Sequence, residues 1–164
     1  MYGGPQQKAF VSTITSLTGL AYSRDLNGGQ PNCVAFTPNS INWHDQDHRS
    51  TAASSYLTPR EGSTPNWLTL VNHSVTKLVW GGKDANGKRV VDGIEFQQTD
   101  WRGQTYSAKA RKEVILAAGA IATPALLQLS GVGDSAHLGS LGIETVIELK
   151  TVGKNLQEQV NIIS

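Results

Sequence analysis

Four histidines, one cysteine, one asparagine triplet and a long run of small and aliphatic residues are the parts of this sequence with chemistry to offer. His44 and His48 flank Asp45, Gln46 and Asp47. On a helix, that i, i+4 spacing would aim two imidazoles at one metal ion. Their polar neighbours favour a solvated loop with the helix starting afterwards, so no metal site is expected. His73 lies beside Val75 in an apolar stretch and His137 lies in a turn-like one. Neither sits in a motif that asks for a general base. A lone cysteine, Cys33, excludes an internal disulfide and a cysteine metal cluster. It reads as a small apolar strand residue. Asn72-His73-Ser74 has the form of an N-glycosylation acceptor, but a strand is expected there, which argues against its use. Trp43, Trp67, Trp80 and Trp101 are too scattered for a sugar-stacking surface and read as packing residues.

The strongest signal is the stretch 112–133, KEVILAAGAIATPALLQLSGVG. An apolar run, 114–118, predicts a strand that Gly119 breaks. Thr123 and Pro124 predict a helix start, a capping hydroxyl followed by a proline that needs no N–H. Leu126, Leu127 and Leu129 supply the buried stripe, and Ser130-Gly131 ends it. In an open α/β sheet, ligands gather at the carboxyl end of such a strand, where small side chains let them near the backbone. No GxGxxG follows a strand here to cradle phosphates. Gly28-Gly29 and Gly81-Gly82 lack the flanking strand and helix, and Gly131-Val132-Gly133 sits at a helix end, where the dipole has the wrong sign.

Around this stretch the elements follow from periodicity and turn chemistry. Phe10, Ile14 and Leu17 predict a helix over 6–17, and a dense turn signal follows at 25–31. Residues 33–36 read as a brief strand and 38–43 as irregular or strand. A helix is expected over 51–57, stopped by Pro59. Residues 67–71 and 75–80 read as two short strands or one bulged strand, 81–88 as a polar loop, and 90–97 as the next strand. With 105–110, the block 75–118 becomes a β-meander feeding one central strand. A helical turn over 136–141, stopped by Gly142, and a strand over 144–149 complete the reading.

The chain has 164 residues, enough for one core of its own, and a composition of globular type. A net charge of +1 gives no footing for a nucleic-acid or acidic-membrane partner. No apolar run approaches the length of a membrane span, and the first ten residues lack a signal-peptide core.

Gly119, Ala120, Thr123, Pro124, Leu126, Leu127, Ser130, Gly131, Val132 and Gly133 match in type and spacing a signature of the glucose–methanol–choline (GMC) flavoprotein oxidoreductases. The order of other pieces resembles the family as well: HRSTAASSYLTP at 48–59, PNWLTLVNHSVTKLVW at 65–80, the strand 91–96, and VGKNLQEQ at 152–159. In the last of these, Glu158 and Gln159 stand where the family pattern has Asp and His, a departure more typical of its sugar-oxidising members. The resemblance is strongest over 48–159 and thin before Asp25.

The resemblance implies an incomplete GMC fold of mixed α/β class, part of a Rossmann-like FAD-binding domain with its β-meander and part of the substrate domain. It places partial substrate-domain or connecting sequence in 1–47 and partial FAD-binding domain in 48–164. The implied cofactor is FAD, with Val75 reading the adenine edge through its backbone and Ala117, Ala118 and Gly119 lying beside the cofactor. Asn155 borders the flavin region, a role that competes with a turn-stabilising one. Arg49 matches a family arginine and is expected to anchor structure. The family's catalytic histidine near the C-terminus has no counterpart, so no catalytic residue is expected in this stretch, which reads as an internal segment. Its intact protein would oxidise a CH–OH group of a sugar or alcohol, outside the cell by resemblance to fungal members. The alternative is a truncated binding or structural protein without redox chemistry. An unpaired central strand would favour self-association of the segment.

Overall fold

A computed structural model describes residues 5–42, 44–100 and 103–158. They fall into two compact units, Met1–Leu68 and Thr69–Ser164.

The first unit opens with helix α1, Pro5–Thr18. It ends where Gly19, at φ +71, donates its amide to Thr15 O, a left-handed glycine stop. The spacing of Phe10 and Leu17 predicted this helix, yet they remain 65% and 77% exposed. The predicted strand 33–36 reduces to a parallel bridge between Tyr22 and Val34, with Tyr22 edge-on to Phe36. The turn signal at 25–31 holds: Asp25 Oδ1 accepts from Asn27 N. Strands β1, Ile41–Asn42, and β2, His48–Arg49, pair antiparallel. Between them Gln46 and Asp47 take positive φ, so His44 and His48 flank a tight turn and not a helical face. Arg49 is exposed in β2.

The predicted helix over 51–57 becomes a π-helical turn, Ala53–Leu57. At its start the amides of Thr51 and Ser54 each donate to the other's hydroxyl oxygen, and Thr58 N donates to Ala53 O, five residues back. Pro59 has no N–H to extend it. The predicted strand 67–71 forms no ladder among the described residues, and Leu68 is 83% exposed.

The second unit holds an antiparallel sheet in the order β3-β4-β5: His73–Lys83, Arg89–Gln98 and Tyr106–Lys109. This is the expected meander. β3 runs longer than predicted, carrying Gly81 and Gly82 within it, because a register shift brings β4 close: a Cβ on Gly81 would stand 3.3 Å from Asp92 Cβ. The loop therefore shrinks to a turn in which Asp84 Oδ1 accepts from Asn86 N and Lys88 N. The predicted strand 114–118 forms no ladder among the described residues, and Ile115 is 78% exposed.

Helix α2, Gly119–Leu129, starts four residues before Thr123. Ala120 and Ala122, before the predicted start, have the highest helix propensity and carry the helix back to Gly119. Pro124 falls inside it and costs one bond, the missing donor to Ala120 O. Thr123 Oγ1 still serves the helix start by accepting from Ala118 N at 3.0 Å.

Past α2 a buried serine joins helix to sheet. Ser130 Oγ accepts from Leu78 N at 2.8 Å and donates to Leu126 O at 2.6 Å, while Trp80 Nε1 donates to Ser130 O at 2.7 Å. The hydroxyl thus serves a β3 amide and a helix carbonyl together. Replacing Ser130 with Ala leaves the buried Leu78 N–H without its acceptor, an expected loss of about 1–3 kcal/mol. Urea unfolding checks it; an unchanged midpoint would mean that the amide finds another partner. Strand β6, Val132–Gly133, then pairs parallel with β7, Ile147–Glu148. Between them helix α3, Ser135–Ser140, buries Leu138 completely.

Candidate functional site

β3 meets the end of α2 at Ser130, which leaves the start of the helix at the surface. Ala117, Ala118 and Gly119 are exposed there. Gly119 has φ +87, and a Cβ built on it meets nothing within 4 Å. The glycine is thus required by conformation and also leaves open space on its outer side. The amides of the helix's first turn have no intrahelical partners, so this corner carries partial positive charge. Small side chains, open space and that charge suit a negatively charged group lying against the backbone.

Asn155 is carried to the same region by the turn after β7. Gly153 and Asn155 both take positive φ, +74 and +57. A left-handed asparagine is a tolerated turn residue, and its Oδ1 accepts from Gln157 Nε2 at 3.3 Å. Between this turn and α2 lies a cleft of about 370 Å³, with Ala120, Ile121 and Pro124 on the helix side and Lys154, Asn155 and Leu156 on the other. The structure therefore brings Asn155 together with the residue next to Gly119. Val75 is not among the cleft's lining residues. It sits in β3 opposite Phe96, 40% exposed, just before a register shift.

Two polar contacts hold the turn. Gln128 Nε2 donates to Val152 O at 3.2 Å, and Lys154 Nζ donates to Asp134 Oδ2 at 3.0 Å. Asp134 Oδ1 also caps α3 by accepting from Ala136 N. The hydrogen bond from Lys154 is the main reason the Asp134 carboxyl titrates below its ordinary range; backbone donors of α3 and the lysine charge add to it, against partial burial. Gln128, Lys154 and Asp134 were not singled out from the sequence. A lone glutamine within the aliphatic stripe of α2 was the available signal for the first; nothing local marked the ion pair.

Because the folded pKa of Asp134 is depressed, its contribution is complete above the ordinary carboxylate range and disappears as pH falls through the lowered value. Asp134→Asn should flatten the acid limb of the stability profile, as read by urea midpoints taken down the pH scale. An unaltered limb would mean that the pair does not couple to folding.

Among the described residues, no group of His, Cys, Asp and Glu is arranged to hold a metal, and no helix is long and apolar enough to cross a membrane. Trp43, Trp101 and Gln159 lie outside the described residues. Trp80 Nε1 donates to Ser130 O, and Trp67 N closes a turn of the first unit on Thr64 O.

Comparison with known proteins identifies the family. Residues 2–161 match the family model described as GMC oxidoreductase. The chain is 34% identical to a glucose oxidase of Aspergillus carbonarius over 94% of its own length, and 40% identical to an oxygen-dependent choline dehydrogenase of Serratia proteamaculans over 88%. It spans 24% of the length of each. A solved FAD-dependent oxidoreductase from Chaetomium thermophilum superposes with a TM-score of 0.75 at 30% identity, over 90% of this chain and 24% of that one. With the matched signature folded as helix α2, a buried serine–glycine stop and strand β6, the chain belongs to the GMC oxidoreductase family.

Proposed function

We propose that this chain is part of the FAD-binding region of an oxidoreductase that acts on a CH–OH group of a sugar or alcohol. The observation that carries the reading is the open, left-handed Gly119 at the start of α2, next to Ala120, which lines a cleft with Asn155. Residues 48–164 are assigned to the FAD-binding part and 1–47 to connecting or substrate-domain sequence. The names of the matched glucose oxidase and choline dehydrogenase support a sugar or alcohol substrate. An extracellular location follows from the likeness to fungal members.

Bound FAD would supply a hydride acceptor. Ala117, Ala118 and Gly119 would let an adenosine phosphate approach the backbone, and the first turn of α2 would face its charge. The Val75 backbone would read the adenine edge from β3, with its side chain packed in the sheet. Asn155 would close the cleft's far side, held there by Gln128 and Lys154. The proton of the substrate hydroxyl would be taken by a group outside this chain.

Gly119→Ala tests the assignment in the full-length protein. A Cβ here adds the left-handed conformational cost, about 1–2 kcal/mol, and fills the space assigned to the cofactor. FAD affinity should fall at least about tenfold, which corresponds to roughly 1.4 kcal/mol. The check is flavin absorbance retained after dialysis, set against the melting temperature of the flavin-free protein. Wild-type protein that folds without taking up flavin would instead favour a binding or structural role.

A further inference from the structure

We propose that Asn72 is an N-glycan acceptor, a modification site at the open end of the three-stranded sheet. Asn72-His73-Ser74 supplies the amide, a middle residue other than proline, and a hydroxyl two positions on. It is the only such triplet in the sequence. A strand beside the expected adenine edge argued against its use, but the structure moves the asparagine out of the strand, and Val75 does not line the cleft beside it. β3 begins at His73. Asn72 precedes it in a bend, exposed, at φ +56. This conformation breaks the strand's two-residue alternation at Asn72.

Its backbone is anchored there, since Asn72 O accepts from Thr99 N at 3.0 Å just beyond the His73–Gln98 pair. Exposure of the residue thus coexists with a fixed attachment point. Beside it opens a polar cleft of about 320 Å³ lined by Asn72, Gln98, Thr99 and Asp100. Amide, hydroxyl and carboxylate groups of this kind suit the hydroxyls and acetamide of a first N-acetylhexosamine.

In the transfer, Asn72 Nδ2 bonds to the anomeric carbon of a lipid-diphosphate-linked oligosaccharide. The bond from that carbon to the phosphate oxygen breaks, the lipid diphosphate leaves with the electron pair, and the amide nitrogen gives up one proton. Nothing is oxidised or reduced. Transfer to the chain before β3 pairs is compatible with the final fold, because Asn72 stays exposed once Ser74 Oγ has come within 3.4 Å of Thr99 Oγ1.

The inference deepens the extracellular reading and rests on passage through a secretory compartment. The experiment provides that passage, so the two fail separately. The full-length protein is fused to a cleavable secretion leader and expressed in a eukaryotic host. Purified protein is treated with an amidase that releases N-glycans and converts their asparagine to aspartate, and the peptide mass is read. We expect aspartate at position 72 and the loss of one glycan's gel shift. The shift should be absent from Asn72→Gln and Ser74→Ala and retained in Ser74→Thr. Unmodified Asn72 in the wild-type and Ser74→Thr proteins, beside a co-expressed glycoprotein that carries its glycans, would overturn the proposal. Fractionating the native source tests the location alone.

Discussion

Gly131→Ala should destabilise the second unit by about 3–5 kcal/mol, in the range reserved for strain at a special backbone position. Two costs add. Gly131 has φ +82, where an L side chain costs about 1–2 kcal/mol. Its new Cβ would also stand 2.6 Å from Glu144 O, 2.7 Å from Val146 Cγ2 and 3.1 Å from Val146 N. Two of those atoms are backbone, so no rotamer change relieves the overlap. The segment entering β7 must retreat, and the same glycine's carbonyl accepts from Val146 N and Ile147 N at 2.8 and 3.1 Å. Moving 144–147 away therefore breaks the entry to the β6–β7 pair. Gly119→Ala is the internal control: similar φ, no overlap, hence only the conformational cost when flavin is absent. Equal unfolding midpoints for the two variants would refute the packing account.

Gly131 was legible in the sequence as a helix stop, and the reason is general: a left-handed stop needs glycine wherever the helix goes next. What the sequence did not carry was the second constraint, the approach of Glu144 and Val146, which depends on a partner thirteen residues away. The same division runs through the molecule. The meander, α3 and the end of α2 are set by local patterns and were readable. The start of α2 was not, because Thr123-Pro124 has the chemistry of a helix start, and the alanines before it continue a helix as readily as they line a turn. Residues 114–117 have a strand's composition but find no ladder in these elements. Apolar character reports that a strand will be buried, not which strand will pair with it. Of the candidate site, the sequence led to the Gly119 corner and Asn155 through resemblance. The cleft between Ala120 and Asn155 depends on the Gln128–Val152 and Lys154–Asp134 contacts, whose partners lie 24 and 20 residues apart. No local rule brings such positions together.

Gly93→Ala should detach β5 from the sheet. Gly93 is buried at the centre of β4, paired with Val79 on one side and Lys109 on the other. A Cβ there would collide with Ala108 O, and would lie 3.0 Å from both Ala108 C and Lys109 Cα. A glycine inside a strand commonly marks such an approach of a second backbone. β3 and β4 hold each other over eight registered pairs, whereas β5 has four, from Gly93–Lys109 to Phe96–Tyr106. The shorter strand yields. Its departure would also separate Tyr106 from Phe96, now stacked with ring centres 5.7 Å apart. Hydrogen exchange should therefore show β5 amides losing protection while those of β3 keep theirs, since strands open as separable units. A loss of about 2–4 kcal/mol is expected for a core clash without a relaxation route. The consequence reaches the proposed cofactor corner. Ala110 N donates to Asp92 O at 2.8 Å, so β5 and the bond after it tether the segment that leads into Ala117–Gly119. With that tether lost, flavin retention should fall even though no residue of the corner has been changed. Retained β5 protection with unchanged flavin content would mean that the chain entering α2 is positioned from elsewhere.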